Sequence, residues 1–216
     1  MDNPLNRISY GLYVVTSMMD GKKNGFISNT VIQSASSPLT LTICITKTGY
    51  THDMIVRTGK FNISILDETA EFDLFKRFGM QSGRNVDKFK DFSNWLPVEN
   101  GLPVITKNTN AYFCCDVLEQ IDLGSHSLFI ASVVSSGVLN DRPSITYADY
   151  YDHVKPKPEA PRPKPDADSP EQGRGKPVYR CTVCGALYEG PGDHPPDDYI
   201  CPVCGHGPGS FELVYE

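Results

Sequence analysis

Short blocks of apolar, aromatic and β-branched residues, broken by glycine, proline and polar runs, fill the first two thirds of the chain. Ile8 to Met19 is such a block, and it stops at Asp20-Gly21-Lys22-Lys23, which reads as a strand followed by a turn. Leu39 to Thr46 is a nearly continuous apolar and threonine strand, and Phe61 to Leu66 alternates. Ala111 to Ile121 and Ser127 to Leu139 read as two long strands joined by Asp122-Leu123-Gly124-Ser125. The apolar spacing changes to the helical period over His52 to Thr58 and Glu68 to Phe78. Antiparallel strands with short turns and few helices predict a mainly β fold closed into a barrel. No internal repeat is visible. No G-x-G-x-x-G follows a strand, so a Rossmann nucleotide site is not indicated.

The pattern fails at Val154. The next residues include Pro-Lys-Pro-Glu-Ala-Pro-Arg-Pro-Lys-Pro and then small polar residues and glycines, with no apolar period to pack a core. Alternating proline favours an extended spacer. Three segments follow: a first domain over 1–153, a linker over 154–177 and a small domain over 178–216.

Composition narrows the function. The chain has 216 residues and is 39% hydrophobic, enough for one substantial core and one small unit. It has no apolar run long enough to cross a membrane as a helix. The N-terminus lacks a basic region followed by an apolar one, so no signal peptide is expected. The net charge of −6 argues against nucleic acid as a partner. From Val178 onward Arg180 is the one basic residue against six acidic ones, so the small domain is the acidic pole. A docking partner for it should present a basic patch. Seven cysteines make an odd count, with four in knuckle spacing. That fits metal binding in a reducing compartment, and a cytoplasmic protein is expected. Cys44, Cys114 and Cys115 lie on strands and read as small buried hydrophobes.

The four knuckle cysteines carry the sharpest chemistry. Cys181-Thr182-Val183-Cys184-Gly185 and Cys201-Pro202-Val203-Cys204-Gly205 form a C-x2-C-x16-C-x2-C pattern. Each knuckle turns two thiolates toward one ion, and the glycine after it permits the tight backbone. Four thiolates select zinc or iron. Zinc makes the segment a structural clip, and iron makes it an electron carrier. Tyr179, Tyr188, Tyr199 and Phe211 surround the knuckles, and an apolar shell of this kind tunes redox potential. The strings from Tyr179 to Gly185 and from Pro196 to Gly205, Pro-Asp-Asp-Tyr-Ile-Cys-Pro-Val-Cys-Gly in the second case, resemble rubredoxin over Val178 to Phe211. The resemblance implies one iron held by Cys181, Cys184, Cys201 and Cys204 and shuttling single electrons. The chain departs from that family in a shorter loop between knuckles and in Tyr199, where tryptophan is usual.

The first domain carries a second resemblance. Asn24 to Pro38, Thr46-Lys47-Thr48-Gly49-Tyr50-Thr51-His52, Gly59 to Leu66, Ser82 to Phe89, Gly124 to Ile130 and Thr146-Tyr147 are similar, in order, to the flavin reductase-like family of FMN-binding split barrels. The fold expected is therefore an antiparallel split barrel with a few short helices plus a small rubredoxin-like unit. Ser28, Asn29, Thr30, Gln33, Ser34 and Ala35 offer small polar groups and backbone N–H to flavin ring carbonyls and N5. Thr46, Lys47, Thr48 and Thr51 open a helix after a strand, where the FMN phosphate can sit. Arg84 and Lys88 add charge. His126 matches a histidine the family keeps near flavin and nicotinamide.

Together the two resemblances imply an electron-transfer oxidoreductase. Electrons pass from NADH or NADPH through FMN to the iron centre, then to a protein acceptor such as a flavodiiron nitric oxide or oxygen reductase. They also imply a homodimer with FMN at the subunit interface. The rival is a flavin reductase or flavin-binding scaffold with a structural zinc clip.

Overall fold

The computed structural model describes residues 4–156, 177–182, 186–188, 194–201 and 207–215. The chain divides into two compact units, Met1–Lys155 and Pro156–Glu216.

The first unit contains β1 (Tyr13–Met19), β2 (Lys22–Ser28), β3 (Ile32–Ser36), β4 (Leu39–Thr46), α1 (Tyr50–Thr58), β5 (Lys60–Leu66), α2 (Phe72–Gly79), β6 (Trp95–Pro97), β7 (Pro103–Ile105), β8 (Thr109–Asp122) and β9 (His126–Val138). Helical turns over Tyr147–Asp149 and Tyr150–Val154 close it. Seven strands form one sheet in the order β2-β1-β5-β8-β9-β4-β3, and β6 and β7 pair separately. The order forces the sheet to close. β2 and β3 are the two edges, yet only Asn29, Thr30 and Val31 join them. A flat sheet of this width puts its edges about 29 Å apart, and the link spans at most about 14 Å. The sheet therefore curls until its edges meet. β2 and β3 share no ladder, so the barrel is split along that seam.

Alternation sends neighbouring side chains to two cores. Val15, Ile43, Ile45, Phe61, Ile63 and Phe129 converge from strands all round the sheet, with Ile55 of α1 among them, and fill the barrel. Val14, Leu66, Phe75, Phe78, Phe89 and Ile105 form an outer layer under α2. β1 is buried on both faces because it serves both cores.

Several boundaries move from those expected. β1 begins at Tyr13, not Ile8, and Gly11 is held only by an isolated bridge to Thr146. The first turn is just Asp20 and Gly21, at φ 52° and 76°, with Met19 facing Lys22. An Asp-Gly pair with both residues left-handed matches the twist of a tight hairpin. α2 begins at Phe72, not Glu68. The Asp67 carboxylate accepts from the Thr69 N–H, and the Ala70 N–H donates to the Asp67 carbonyl. These bonds close a separate turn ahead of the helix, which starts behind Glu71. α1 begins two residues early, at Tyr50, with Gly49 as its N-cap.

In the second unit β10 (Pro177–Cys181) and β11 (Phe211–Tyr215) pair antiparallel, with Cys181 opposite Phe211. Among the described residues, no helix is long and apolar enough to cross a membrane.

Candidate functional site

The seam of the barrel is lined with the polar residues singled out above. Thr30 sits on the link that crosses it. Its hydroxyl donates to the Cys44 carbonyl at 2.9 Å and accepts from the Cys44 N–H at 3.2 Å. Its own N–H donates to Ser28 Oγ, and Ser28 is buried. Ser28 and Thr30 therefore spend their groups on fixing the seam, while Asn29 between them is half-buried. Along β3, Ser34 is the extra residue of a bulge: Gln33 faces Leu41 and Ala35 faces Thr40. Ser34 Oγ lies 3.0 Å from Thr40 Oγ1, and the Gln33 amide donates to the Ala35 carbonyl. Every residue of β3 is exposed. A bulge on an exposed edge leaves backbone groups out of the ladder and re-aims side chains.

The far end of β4 gathers the second group. Thr46 faces His126 across the β4–β9 ladder. Thr46 Oγ1 lies 3.2 Å from Thr48 Oγ1, and both residues are exposed. The Lys47 N–H donates to the Ser125 carbonyl, and its ammonium pairs with Asp122. His126 is exposed, with Nδ1 2.8 Å from Ser125 Oγ. Beyond Gly49, α1 starts with no side chain capping its first turn. Uncapped first-turn amides at a helix start favour an anion. Arg84 reaches this helix: Nη2 donates to Asp53 Oδ2 at 2.6 Å, and the guanidinium lies 5.2 Å from the centre of the Tyr50 ring.

Two of the expected ligands are placed elsewhere. Thr51 is buried, and its hydroxyl accepts from Asn24 Nδ2 at 3.0 Å. It braces α1 against β2 and does not open onto the seam. Lys88 is 4% exposed, and its ammonium donates to the Gly25 and Phe78 carbonyls at 2.9 and 2.8 Å. It ties the loop after α2 to β2. Burial pulls its pKa down to about 8. A cation held by two carbonyls inside the protein adds no charge to a surface phosphate site.

The pattern of the chain passed over four residues here. His52 is buried and edge-on to Phe129, with Nε2 2.9 Å from Ser127 Oγ and Nδ1 3.5 Å from Asp53 Oδ1. Ser127 is fully buried and also accepts from the Gln120 amide at 3.0 Å. The one signal in the sequence is a His-Asp pair in the first turn of a helix. Of the remaining cysteines, Cys114 and Cys115 are buried and Cys44 is half-buried. Burial pushes the Cys115 thiol up to about 12, which makes it an inert packing group.

In the second unit Cys181 and Cys201 are both 1% exposed. The other two knuckle cysteines, Cys184 and Cys204, lie outside the described residues. The Cys181 N–H donates to the Ala186 carbonyl and the Thr182 N–H to the Ser210 carbonyl, so the first knuckle is pinned to both flanks. Tyr199 stands edge-on between Tyr188, at 4.8 Å, and Phe211, at 5.4 Å. Phe211 in turn pairs with Cys181, which places the aromatic stack beside that cysteine.

Comparison with known proteins matches both units. Residues 5–156 match the flavin reductase like domain, and residues 179–212 match the rubrerythrin, rubredoxin-like domain. The chain belongs to the flavin reductase-like family, in the form that carries a rubredoxin-like domain after it. It is 34% identical to the high molecular weight rubredoxin of Moorella thermoacetica, over 97% of this chain and 98% of that one. It is 36% identical to a ferric-chelate reductase (NAD(P)H) of Archaeoglobus fulgidus, over 72% of this chain and 90% of that one. Among solved structures, an NADH:FAD oxidoreductase of Streptomyces globisporus superposes with a TM-score of 0.60 at 22% identity, covering 68% of this chain and 91% of that one. That likeness supports the fold. The mainly β split barrel and the C-terminal rubredoxin-like unit agree with the expected fold class, and the chain is an oxidoreductase.

Proposed function

We propose that the chain carries electrons from a nicotinamide nucleotide through FMN to a single iron, and from there to a protein acceptor of the flavodiiron kind. The observation that supports it most is the pairing on one chain of a polar, anion-friendly barrel seam with a buried pair of thiols. FMN, when bound, supplies the step from hydride to single electrons, which a one-electron iron centre requires.

The chain's own residues fit that cofactor. Asn29, Gln33, Ser34 and Ala35 present an open edge with a bulge to the flavin ring, and Ser28 and Thr30 fix the link behind it. Thr46, Lys47, Thr48 and the first turn of α1 receive the phosphate, with Arg84 beside them. His126, across the ladder from Thr46, contacts nicotinamide. Cys181, Cys184, Cys201 and Cys204 hold the iron, and Tyr188, Tyr199 and Phe211 keep water from it. The working segments are 1–153, 154–177 and 178–216.

A homodimer completes the reading. β3 is exposed throughout, with Ile32 at 65%, and the β8–β9 hairpin exposes Leu118, Val134 and Val138 at 61, 51 and 77%. Exposed apolar residues on the paired strands β8 and β9, and on the β3 edge, support an interface. Sedimentation should give a dimer.

Anaerobic stopped-flow with NADH tests the relay. The flavin bands should bleach first and the iron band second. Replacing Cys201 with serine should leave flavin reduction intact and abolish reduction of the acceptor. Stoichiometric zinc without iron in anaerobically purified protein would sink the relay and leave a flavin reductase with a structural clip.

A further inference from the structure

His52 lies in a chain of hydrogen bonds that joins two ends of the site. Gln120 Nε2 donates to Ser127 Oγ at 3.0 Å, and Ser127 Oγ lies 2.9 Å from His52 Nε2. His52 Nδ1 lies 3.5 Å from Asp53 Oδ1, and Asp53 Oδ2 accepts from Arg84 at 2.6 Å. Ser127 directly follows His126 on β9. Arg84 sits at the first turn of α1.

Counting protons fixes the direction of this chain. Ser127 has one hydroxyl proton and no access to water. Of its two side-chain partners Gln120 is a donor to it, which leaves His52 Nε2 as the acceptor for the hydroxyl proton. The ring hydrogen then stands on Nδ1 and points at Asp53. The other tautomer would leave the Ser127 proton without a partner and set a nitrogen lone pair against a carboxylate.

The far end explains what this serves. Burial pushes the Asp53 carboxyl up, yet hydrogen bonds from Arg84 and His52 and the Arg84 charge outweigh it and hold the carboxyl below its ordinary value. One edge of Arg84 is held by Asp53 and one face by the Tyr50 ring. Its other N–H groups have no partner among the described residues. They remain available beside an uncapped helix start. A guanidinium fixed on two sides loses less freedom when it takes an anion than a loose one does.

We propose that His52, with its ring hydrogen on Nδ1, is a positioning residue that sets Asp53 and through it aims Arg84 at the phosphate of the flavin. The inference rests on the phosphate reading given above. His52 touches neither cofactor nor substrate. It converts the rigid start of β9 into a fixed direction for a side chain on an exposed loop.

The test uses the intact chain and compares binding of FMN with binding of riboflavin, which lacks the phosphate. The wild type should prefer FMN by more than about tenfold, and Arg84→Gln should cut that preference by roughly tenfold, the scale of one charge-assisted hydrogen bond. Equal binding of the two flavins by the wild type would overturn the phosphate reading itself. Given the preference, two variants separate positioning from packing. In His52→Asn the side-chain amide stands in for the Nδ1–H, and the preference should hold within about twofold. In His52→Gln the amide reaches toward Ser127 and abandons Asp53, and the preference should fall by about fivefold or more. Equal effects of the two would overturn the role of His52. Nitrogen NMR of the wild-type imidazole decides the tautomer even where a variant fails to fold. A proton on Nε2 would overturn the proposal directly.

Discussion

In the first unit Val15, Ile43, Phe61, Ile63 and Phe129 are completely buried in one packed cluster. In the second, the buried side chains among the described residues are Cys181, Pro195 and Cys201. The larger unit is thus held by apolar area removed from water, with two cores on the two faces of its sheet. Among its described residues the smaller has a two-stranded ladder, an aromatic stack and two buried cysteines, with no buried aromatic or branched aliphatic side chain. In the relay proposed above, bonds from thiolate to metal supply what burial does not. The contrast means that the two units should fail under different insults.

Metal removal should produce the largest effect. A thiolate site contributes on the order of 10 kcal/mol to the fold around it. Chelation, or Cys181→Ser, should erase hydrogen-exchange protection from β10 and β11 and leave the melting of the first unit unchanged. Protection that survives without metal would remove the distinction between the units. Truncating the barrel core should do the reverse. Phe61 is fully buried, and Phe61→Ala should destabilise the first unit by roughly 3–5 kcal/mol. Calorimetry should then show the first transition lowered and the metal band untouched.

A smaller effect comes from Lys88. Its pKa falls from an ordinary 10.5 to about 8 on folding. Between those values the unfolded chain binds more protons than the folded one, so stability rises with pH. The contribution is fully present above 10.5 and is lost as pH falls through 8. It amounts to about 3 kcal/mol at most. The unfolding free energy of the wild type should therefore gain on that of Lys88→Met between pH 7.5 and 10.5. A constant difference would mean that the two carbonyl contacts keep the ammonium at its ordinary pKa.

What the sequence revealed follows the same division. The strands β4, β5, β8 and β9 announce themselves because each carries a run of apolar, aromatic and β-branched residues that supplies a core. The knuckles do so because four ligands must recur at fixed spacing. β3 gives no such sign. Ile-Gln-Ser-Ala-Ser is exposed on every residue, so no face imposes a period. Lys88 looks like a surface charge in a polar loop because its carbonyl partners, Gly25 63 residues away and Phe78 ten residues away, are brought to it only by the fold. His52 hides for the same reason, since Ser127 lies on a strand 75 residues away. Thr51 reads as a phosphate ligand because it stands where a helix opens after a strand. Here Asn24 claims its hydroxyl.

The Thr30 hydroxyl has a consequence for how the chain behaves in company. The β3–β4 ladder ends at Ile32 and Thr42, which leaves the N–H and C=O of Cys44 without a partner strand on the seam side. An open strand edge is a template on which another chain can polymerise. Thr30 occupies both groups with a single hydroxyl, donating to one and accepting from the other. The seam can then stay open for a ligand without becoming adhesive to other polypeptides. Valine at position 30 keeps the shape and surrenders that guard, so its cost should be read in concentration-dependent aggregation rather than in melting temperature.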